Sequence, residues 1–538
     1  MTGSPPRPPA SGRRTAAPAG ASTGAPATTG QERRERAQAL AHAQPSSGNW
    51  INAAFEHFGA DRFGDGHAAL GEALRLDPDS MHARWLAMQC PASPAPATSA
   101  DIERFRQRWR DGVAYFEGLD LRQGHVRARI PGCAASCTPF FLHYLGECSE
   151  DMRRYGRLLH RMMAAVDAGR PRRRIARERR RVVFCSALLR EHTIARLFVP
   201  LLERLDRDRF ELHALHLGGS DNPWARRVAA CAQLHAGPAG PQQWRELLGR
   251  LDADVIVYPD LGMHPLTQVL SAVRLAPVQV ALWGHPVTTG LPSMDYFLSP
   301  DRFEPADGAH HYSETLVRLP GSGHALEPLQ ELPRPLAGIR RPEPGSLELL
   351  CPQSVFKLMP GQDEVFARVL AALPQARLHL VPHHRPHVRD WLRERMRPTL
   401  AAHGVDVDRR VVLHDLMPLP RFRALARACD FSLDSLGWSG GMTALDLLPL
   451  GLPIVTLEGG CMRERQTAAL LGQLGAAELV AGDSDDYVHI AARLGNDAGW
   501  REALSARLLR NAPGLARHEA TVAAFERFLA TAQPVAAG

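Results

Sequence analysis

Lysine is almost missing from this sequence. Of the 64 cationic side chains in 538 residues, one is a lysine, Lys357, and the other 63 are arginines. Ala, Gly, Pro and Arg are all abundant, so arginine-for-lysine drift accounts for the basic composition without a functional cause. Long apolar runs are missing too. No stretch of about 18 residues is apolar enough to span a bilayer, which excludes a membrane-spanning helix. The opening segment has no apolar core behind Arg13 and Arg14 and reads as a poor export signal. Cysteines number nine and are scattered. The only close pair, Cys133 and Cys137, has no second pair or histidine cluster at zinc-finger spacing, so no metal site is expected and the thiols read as reduced and cytoplasmic. A net positive charge is also missing outside one place. The net charge is +7, and residues 170–181 hold eight arginines and one glutamate, so the rest of the chain is neutral. That removes the case for a nucleic-acid partner and makes the segment a solvated, self-repelling hinge.

What is present is a chain long enough for two or three domains, with 45% hydrophobic residues to fill their cores. Residues 1–46 are poor in large apolar side chains and read as a disordered tail. Residues 47–165 read as helical. Trp50, Leu70, Ala73 and Pro78 fall at positions 4, 24, 27 and 32 of a 34-residue frame, the spacing of a tetratricopeptide-type helical pair. One such pair cannot bury its own face and must stack on neighbours. After a basic linker, 166–181, short apolar runs alternate with amphipathic segments. Strands are expected near 181–187, 210–217, 254–258, 278–283 and 295–299, then near 347–351, 377–381, 411–414, 430–434 and 453–457. Helices fall between them, near 192–205 and 264–274, then near 361–373, 387–403, 420–429, 441–450 and 464–474. This alternation predicts parallel sheets with helices on both faces. The Pro-rich stretch 333–345 divides them into two Rossmann-like units, 182–335 and 346–530. Two such units facing each other leave a cleft at the carboxyl ends of their strands.

Three segments could carry chemistry in that cleft. In 434–459, a strand end is followed by Gly437, Gly440 and Gly441 and then by a helix. Glycines let backbone N–H groups approach a ligand, and a helix start favours an anion. Thr443 adds a hydroxyl in the first turn. Asp446 lies further along the same helix, where a carboxylate can hydrogen-bond a ribose diol. An ordinary glycine-rich turn fits the same residues. In 351–366, Lys357 sits in a strand-to-helix loop. Its compact ammonium suits a place between two phosphates better than a planar guanidinium does. In 282–301, Gly284-His285-Pro286 follows the fourth strand, so His285 is a candidate for orienting an acceptor. His192 opens the helix after the first strand and is a candidate base or positioning group.

Taken in order, these segments resemble the catalytic region of glycosyltransferase family 41, over roughly 182–525. The resemblance rests on the strand–loop–helix around His192, followed by RDRFELHALHLG. It continues through GHPVTTGLPSMDYFLSPD and then HHYSETLVRLPG with Tyr312-Ser313-Glu314. It ends with the segment reaching Lys357 and with DFSLDSLGWSGGMTALDLLPLGLPIVTLEG. The family contains O-linked N-acetylglucosamine transferases and bacterial cytoplasmic N-glycosyltransferases. It implies a GT-B fold, two facing Rossmann-like domains, here preceded by an α-helical TPR-like domain. It also implies an inverting, metal-independent transfer from a UDP-sugar (UDP-N-acetylglucosamine or UDP-glucose) to a protein or peptide side chain, Ser/Thr or Asn, with no further cofactor. By position, Lys357 resembles the lysine on the donor diphosphate. Met442 and Thr443 occupy the place of a Thr-Thr pair at the β-phosphate, after Gly440 and Gly441. Asp446 resembles the ribose-binding aspartate. Gln353 lies near a polar donor contact, and Phe422 falls where a histidine stacks on uracil. His192 resembles a histidine proposed as base or acceptor-positioning group. Departures are Arg190-Glu191-His192-Thr193 in place of Asn-His-Pro, Met442 for threonine and Gly441 for histidine. The rivals are a GT-B UDP-sugar epimerase and a non-catalytic TPR-type binding module.

Overall fold

The computed structural model describes residues 29–167, 177–219, 221–237, 239–337 and 346–535. The chain opens with helices Gly30–Ala43, Ser47–Phe58, Phe63–Leu76, Met81–Gln89, Ser99–Glu117, Gly124–Ala134 and Ser149–Val166, with a 3-10 turn at Phe140–Tyr144. The first of these corrects the reading of 1–46 as a structureless tail. Residues 30–43 form a helix held by a Thr29/Glu32 capping box, whose only buried side chain is Ala41. It lacks an apolar stripe, so periodicity does not reveal it. Residues 1–28 of that tail lie outside the described residues. Trp50, Leu70 and Ala73 are buried together with Ala41, Ala83 and Leu86. The helical pair is thus covered by a helix on each side.

Two parallel sheets follow. In the first, β1 (Arg180–Ser186), β2 (Phe210–His216), β3 (Gln233–Ala236), β4 (Val255–Tyr258), β5 (Val278–Leu282), β6 (Tyr296–Pro300) and β7 (Thr315–Leu319) lie in the order 3-2-1-4-5-6-7. In the second, β8 (Leu347–Cys351), β9 (Ala376–Leu380), β10 (Val411–Leu413), β11 (Phe431–Leu433), β12 (Ile454–Leu457) and β13 (Val480–Ala481) lie in the order 10-9-8-11-12-13. Both orders reverse beside the first strand, at β1/β4 and at β8/β11. That reversal opens a crevice at the strand ends. Every residue of β4, β5 and β8 is buried, as strands covered on both faces require. The expected alternation is present, with β3, β7 and β13 added. Helices Pro223–Cys231, Pro241–Leu251, Ser484–Asn496, Ala498–Asn511 and Glu519–Thr531 are added as well.

Residues 168–176 of the basic linker and 338–345 of the Pro-rich stretch lie outside the described residues. The linker's last arginines belong to the first sheet. Arg177 pairs with Asp252 at 2.6 Å, and Arg181 pairs with Glu211 at 2.9 Å. The helical domain is locked to the first sheet through helix Ser149–Val166. Gly156 lies so close to Gly290 that a Cβ on either would overlap backbone, and Gly290 also takes φ +69°. Tyr155 donates to Gln268 Oε1 at 3.1 Å across this seam. The last helix, Glu519–Thr531, returns from the second domain to the first, where Phe525 meets Phe184. No helix among the described residues is long and apolar enough to cross a membrane.

Candidate active site

The carboxyl ends of β8, β11 and β12 converge on one carboxylate. Asp434, one residue past β11, is buried and accepts from four groups. Ser435 N (2.9 Å), Gly440 N (2.9 Å) and Gln353 Nε2 (3.0 Å) reach Oδ1, and Thr456 Oγ1 (2.9 Å) reaches Oδ2. Burial pushes its carboxyl above the ordinary range, against the pull of these donors and of Lys357. Gln353, in the loop after β8, also donates to Thr443 Oγ1 at 3.1 Å, and its Oε1 accepts from Lys357 Nζ at 3.0 Å. Lys357, Gln353, Asp434, Gly440 and Thr443 therefore form one hydrogen-bonded frame. Lys357 closes the 3-10 turn Val355–Lys357, half-buried, 6.0 Å from the ring centre of Trp438. Burial lowers its pKa to about 8, partly offset by Asp434 and Cys351, so it remains an ammonium at neutral pH with N–H groups to spare beyond the one given to Gln353.

Gly440 and Gly441 have steric reasons of their own. A Cβ on Gly440 would stand 2.6 Å from Thr443 Oγ1 and 3.0 Å from Gln353 Nε2, and one on Gly441 would overlap Gln466 Oε1. Met442 and Thr443 begin the short helix Met442–Leu447, whose amino end no side chain caps. Asp446 lies one turn further along that helix, at the domain seam. Arg196, from helix Thr193–Glu203 of the first domain, grips it with two bonds of 2.9 and 2.7 Å, and Arg423 adds a third at 2.7 Å. Neither arginine is among the sequence candidates. One acceptor position on Oδ2 stays open to a hydroxyl. These three residues line a cavity of about 370 Å³ together with Leu326, Leu329 and Leu445. Phe422 sits one residue from Arg423 but is half-buried against the core and is not part of that lining.

The first domain contributes two of the expected histidines in different settings. His192 caps helix Thr193–Glu203, its Nδ1 accepting from Ile194 N at 3.2 Å. Burial, with Arg190 adding to it, holds the ring near pKa 4. The neutral ring therefore carries its proton on Nε2, the nitrogen left free. That makes it a donor to an acceptor atom rather than a base in this tautomer. His285 does not face open cleft. It is buried, its Nε2 lies 2.6 Å from His143 Nδ1 of the helical domain, and it packs against Phe140, Tyr144 and Trp438. Burial, Arg463 and Lys357 press its pKa to about 3. The turn Phe140–Tyr144 thus wedges between both α/β domains, Tyr144 lying 4.1 Å from Trp438 between ring centres.

A further buried acid was not among the candidates. Asp260, at the β1/β4 crevice, accepts from Ser186 Oγ (3.0 Å) and Ala187 N (3.2 Å) through Oδ2, and its Oδ1 has no partner. Burial raises its pKa to about 7. The native state then holds a proton that the unfolded chain releases near pH 4. Its contribution to stability is full below pH 4, falls as pH rises, and is gone above about 7. Asp260→Asn should flatten that slope. Urea unfolding at pH 4.5 and 8 should show the wild-type-minus-variant difference shrinking by roughly 2–4 kcal/mol, and a pH-independent difference would refute the assignment.

Comparison with known proteins bears on the same residues. Residues 350–522 match the family model "Glycosyl transferase family 41". A SPINDLY protein of Arabidopsis thaliana, named "Probable UDP-N-acetylglucosamine–peptide N-acetylglucosaminyltransferase", is 34% identical over 234 residues, 42% of this chain and 24% of that protein. The UDP-glucose:protein N-beta-glucosyltransferase of Actinobacillus pleuropneumoniae is 25% identical over 268 residues, 48% of this chain and 41% of that one. The chain thus spans about a quarter of the length of its SPINDLY relatives. A solved structure of an O-GlcNAc transferase mutant from Thermobaculum terrenum superposes with a TM-score of 0.70 at 26% identity, over 93% of both chains. The two facing parallel sheets are a GT-B fold, and the preceding helices are consistent with a TPR-like domain. The second α/β domain is thus similar to glycosyltransferase family 41, and the whole fold is shared with the Thermobaculum enzyme.

Proposed function

We propose that the protein is an inverting, metal-independent glycosyltransferase that moves a sugar from a UDP-sugar to a protein side chain, Ser/Thr or Asn. The observation that carries this is the frame joining Lys357 to Gln353, Asp434 and Thr443 beside the Asp446 cavity. An acceptor oxygen or nitrogen attacks the anomeric carbon from the face opposite UDP, the bond to the diphosphate oxygen breaks, and the acceptor proton passes to solvent or base. Lys357 and the N–H groups of Met442 and Thr443 offset the charge on the leaving diphosphate. Asp446 takes a ribose hydroxyl on its open Oδ2 position while Arg196 and Arg423 hold the carboxylate in place. The cavity of about 370 Å³ is large enough for a nucleoside. His192 orients the acceptor by donating from Nε2. Eight of the nine cysteines are buried and their spacing is scattered, which fits a reducing compartment, and we assign the reaction to the cytoplasm. The relatives' names favour UDP-N-acetylglucosamine or UDP-glucose as donor and transfer over epimerisation.

Calorimetry should detect UDP binding that EDTA leaves unchanged, and UDP-sugars should release UDP faster when acceptor protein is added, with a hexose or N-acetylhexosamine mass on that acceptor. No UDP binding, or binding lost with EDTA, would contradict the reading.

A further inference from the structure

Arg463, near Trp438, carries a buried guanidinium that no ion pair answers among the described residues. It lies in the 3-10 turn Met462–Glu464 after β12 and is 5% exposed. Its backbone carbonyl accepts from Ser439 N (2.8 Å) and Ser439 Oγ (3.1 Å), so it is pinned to the turn that ends in Gly440. Its Nε and Nη2 have no hydrogen-bond partner, and among the described residues no carboxylate forms an ion pair with it. Glu464 and Glu147 act on it from a distance. Their oxygens accept from backbone N–H groups instead, Glu464 from Gly460 N at 2.8 Å and Glu147 from Ser149 N at 2.7 Å. The surrounding groups with charge or a titratable proton are otherwise Lys357, His143, His285 and His311 and the thiols of Cys148 and Cys461. None supplies a negative charge, since burial drives both thiols to pKa values of about 11 and 12. A buried guanidinium whose Nε and Nη2 stay unpaired is costly, and a native chain that keeps one has a use for it.

The position suggests the use. The guanidinium carbon lies 5.9 Å and Lys357 Nζ 6.0 Å from the Trp438 ring centre, so the two cations are no more than about 12 Å apart. Arg463 also borders a small void with Pro286, Val287, Thr288, Glu147 and His311. That void, about 10 Å³, is lined by residues of all three domains. We propose that Arg463 binds a carboxylate beside the transfer centre, carried either by the donor's sugar, as in a hexuronic acid, or by an acidic residue next to the acceptor side chain, and so sets substrate preference. The inference rests on the donor reading above, with Lys357 holding the diphosphate and Arg463 a second, separate anion.

Two variants test it, Arg463→Met, which keeps the bulk, and Arg463→Lys, which keeps the charge. In one arm, UDP-glucuronic acid and UDP-glucose are titrated by calorimetry. In the other, acceptor peptides with Glu or Asp beside the Ser, Thr or Asn are compared with Gln or Asn counterparts in a UDP-release assay. The expected result is a wild-type preference of tenfold or more for the acidic probe in one arm. Arg463→Met abolishes that preference and Arg463→Lys partly restores it, while affinity for UDP itself stays within about threefold. The arm that responds identifies the source of the carboxylate. UDP binding without an Arg463-dependent preference in either arm overturns this inference alone. So does an equal loss of UDP affinity in Arg463→Met, which would make Arg463 a diphosphate ligand. Absence of UDP binding to the wild type overturns the donor reading and this inference with it.

Discussion

Lys357→Met is expected to lower sugar transfer by about 10²–10³-fold, the range found when one preorganised charge or donor on a leaving group is removed. Lys357→Arg is expected to fall by at least tenfold. The ammonium is aimed by one bond to Gln353 Oε1 and sits half-buried near Trp438 as a compact point charge, which a planar fork of five donors does not reproduce. Arginine fills every other cationic position in this chain, so drift toward it has been stopped at this one. The pH dependence is a second signature. Burial holds the lysine near pKa 8, and the protonated form is the one that holds a diphosphate. UDP affinity is therefore full below pH 8 and declines as pH rises through it, in the wild type but not in Lys357→Met. Initial rates of UDP release at saturating donor, with calorimetry from pH 7 to 9, measure both effects. Near-wild-type turnover in Lys357→Met would remove the lysine from the mechanism.

The residues that were legible in the sequence are those whose role is set by a local segment. Strands such as Val255–Tyr258 are apolar on both faces, and Lys357 in a loop and Thr443 at a helix start have places after a strand end that follow from the alternation alone. What was hidden depends on long-range contact. The edge strand Gln233–Ala236 is short and half-exposed, so it has no apolar run to show. Helix Gly30–Ala43 rests on caps rather than on an amphipathic face. Arg196 is one of 63 arginines, and only the closing of two domains 250 positions apart brings it to Asp446. His285 was legible as a loop residue, but its neighbours come from the turn Phe140–Tyr144, more than a hundred residues away. The wedge made by that turn is also why the histidine is buried in a seam and not open to an acceptor.

Asp434 carries the second large effect, and it acts through the frame rather than on the substrate. Asp434→Ala is expected to destabilise the second domain by about 3–5 kcal/mol and to abolish measurable UDP binding. The carboxylate is the common acceptor for Ser435 N, Gly440 N, Gln353 Nε2 and Thr456 Oγ1. Truncation leaves three buried donors without a partner, each costing about 1–3 kcal/mol where water cannot enter, and takes from Gln353 Nε2 one of its two acceptors. Because the four belong to the β8 loop, the β11 turn and β12, the loss also frees those segments from one another. Gln353 would then no longer be fixed between Thr443 and Lys357, and the ammonium would lose its aim. Asp434→Asn separates the two consequences. An amide keeps one acceptor oxygen and the shape but presents N–H groups to Gly440 N or to Thr456 Oγ1, so stability should recover in part while the turn stays displaced and UDP affinity remains at least tenfold down. Thermal unfolding and UDP calorimetry on both variants decide the matter. If Asp434→Ala unfolds with the wild type and binds UDP normally, the carboxylate does not organise this site, and the geometry of Lys357 must be set by something else.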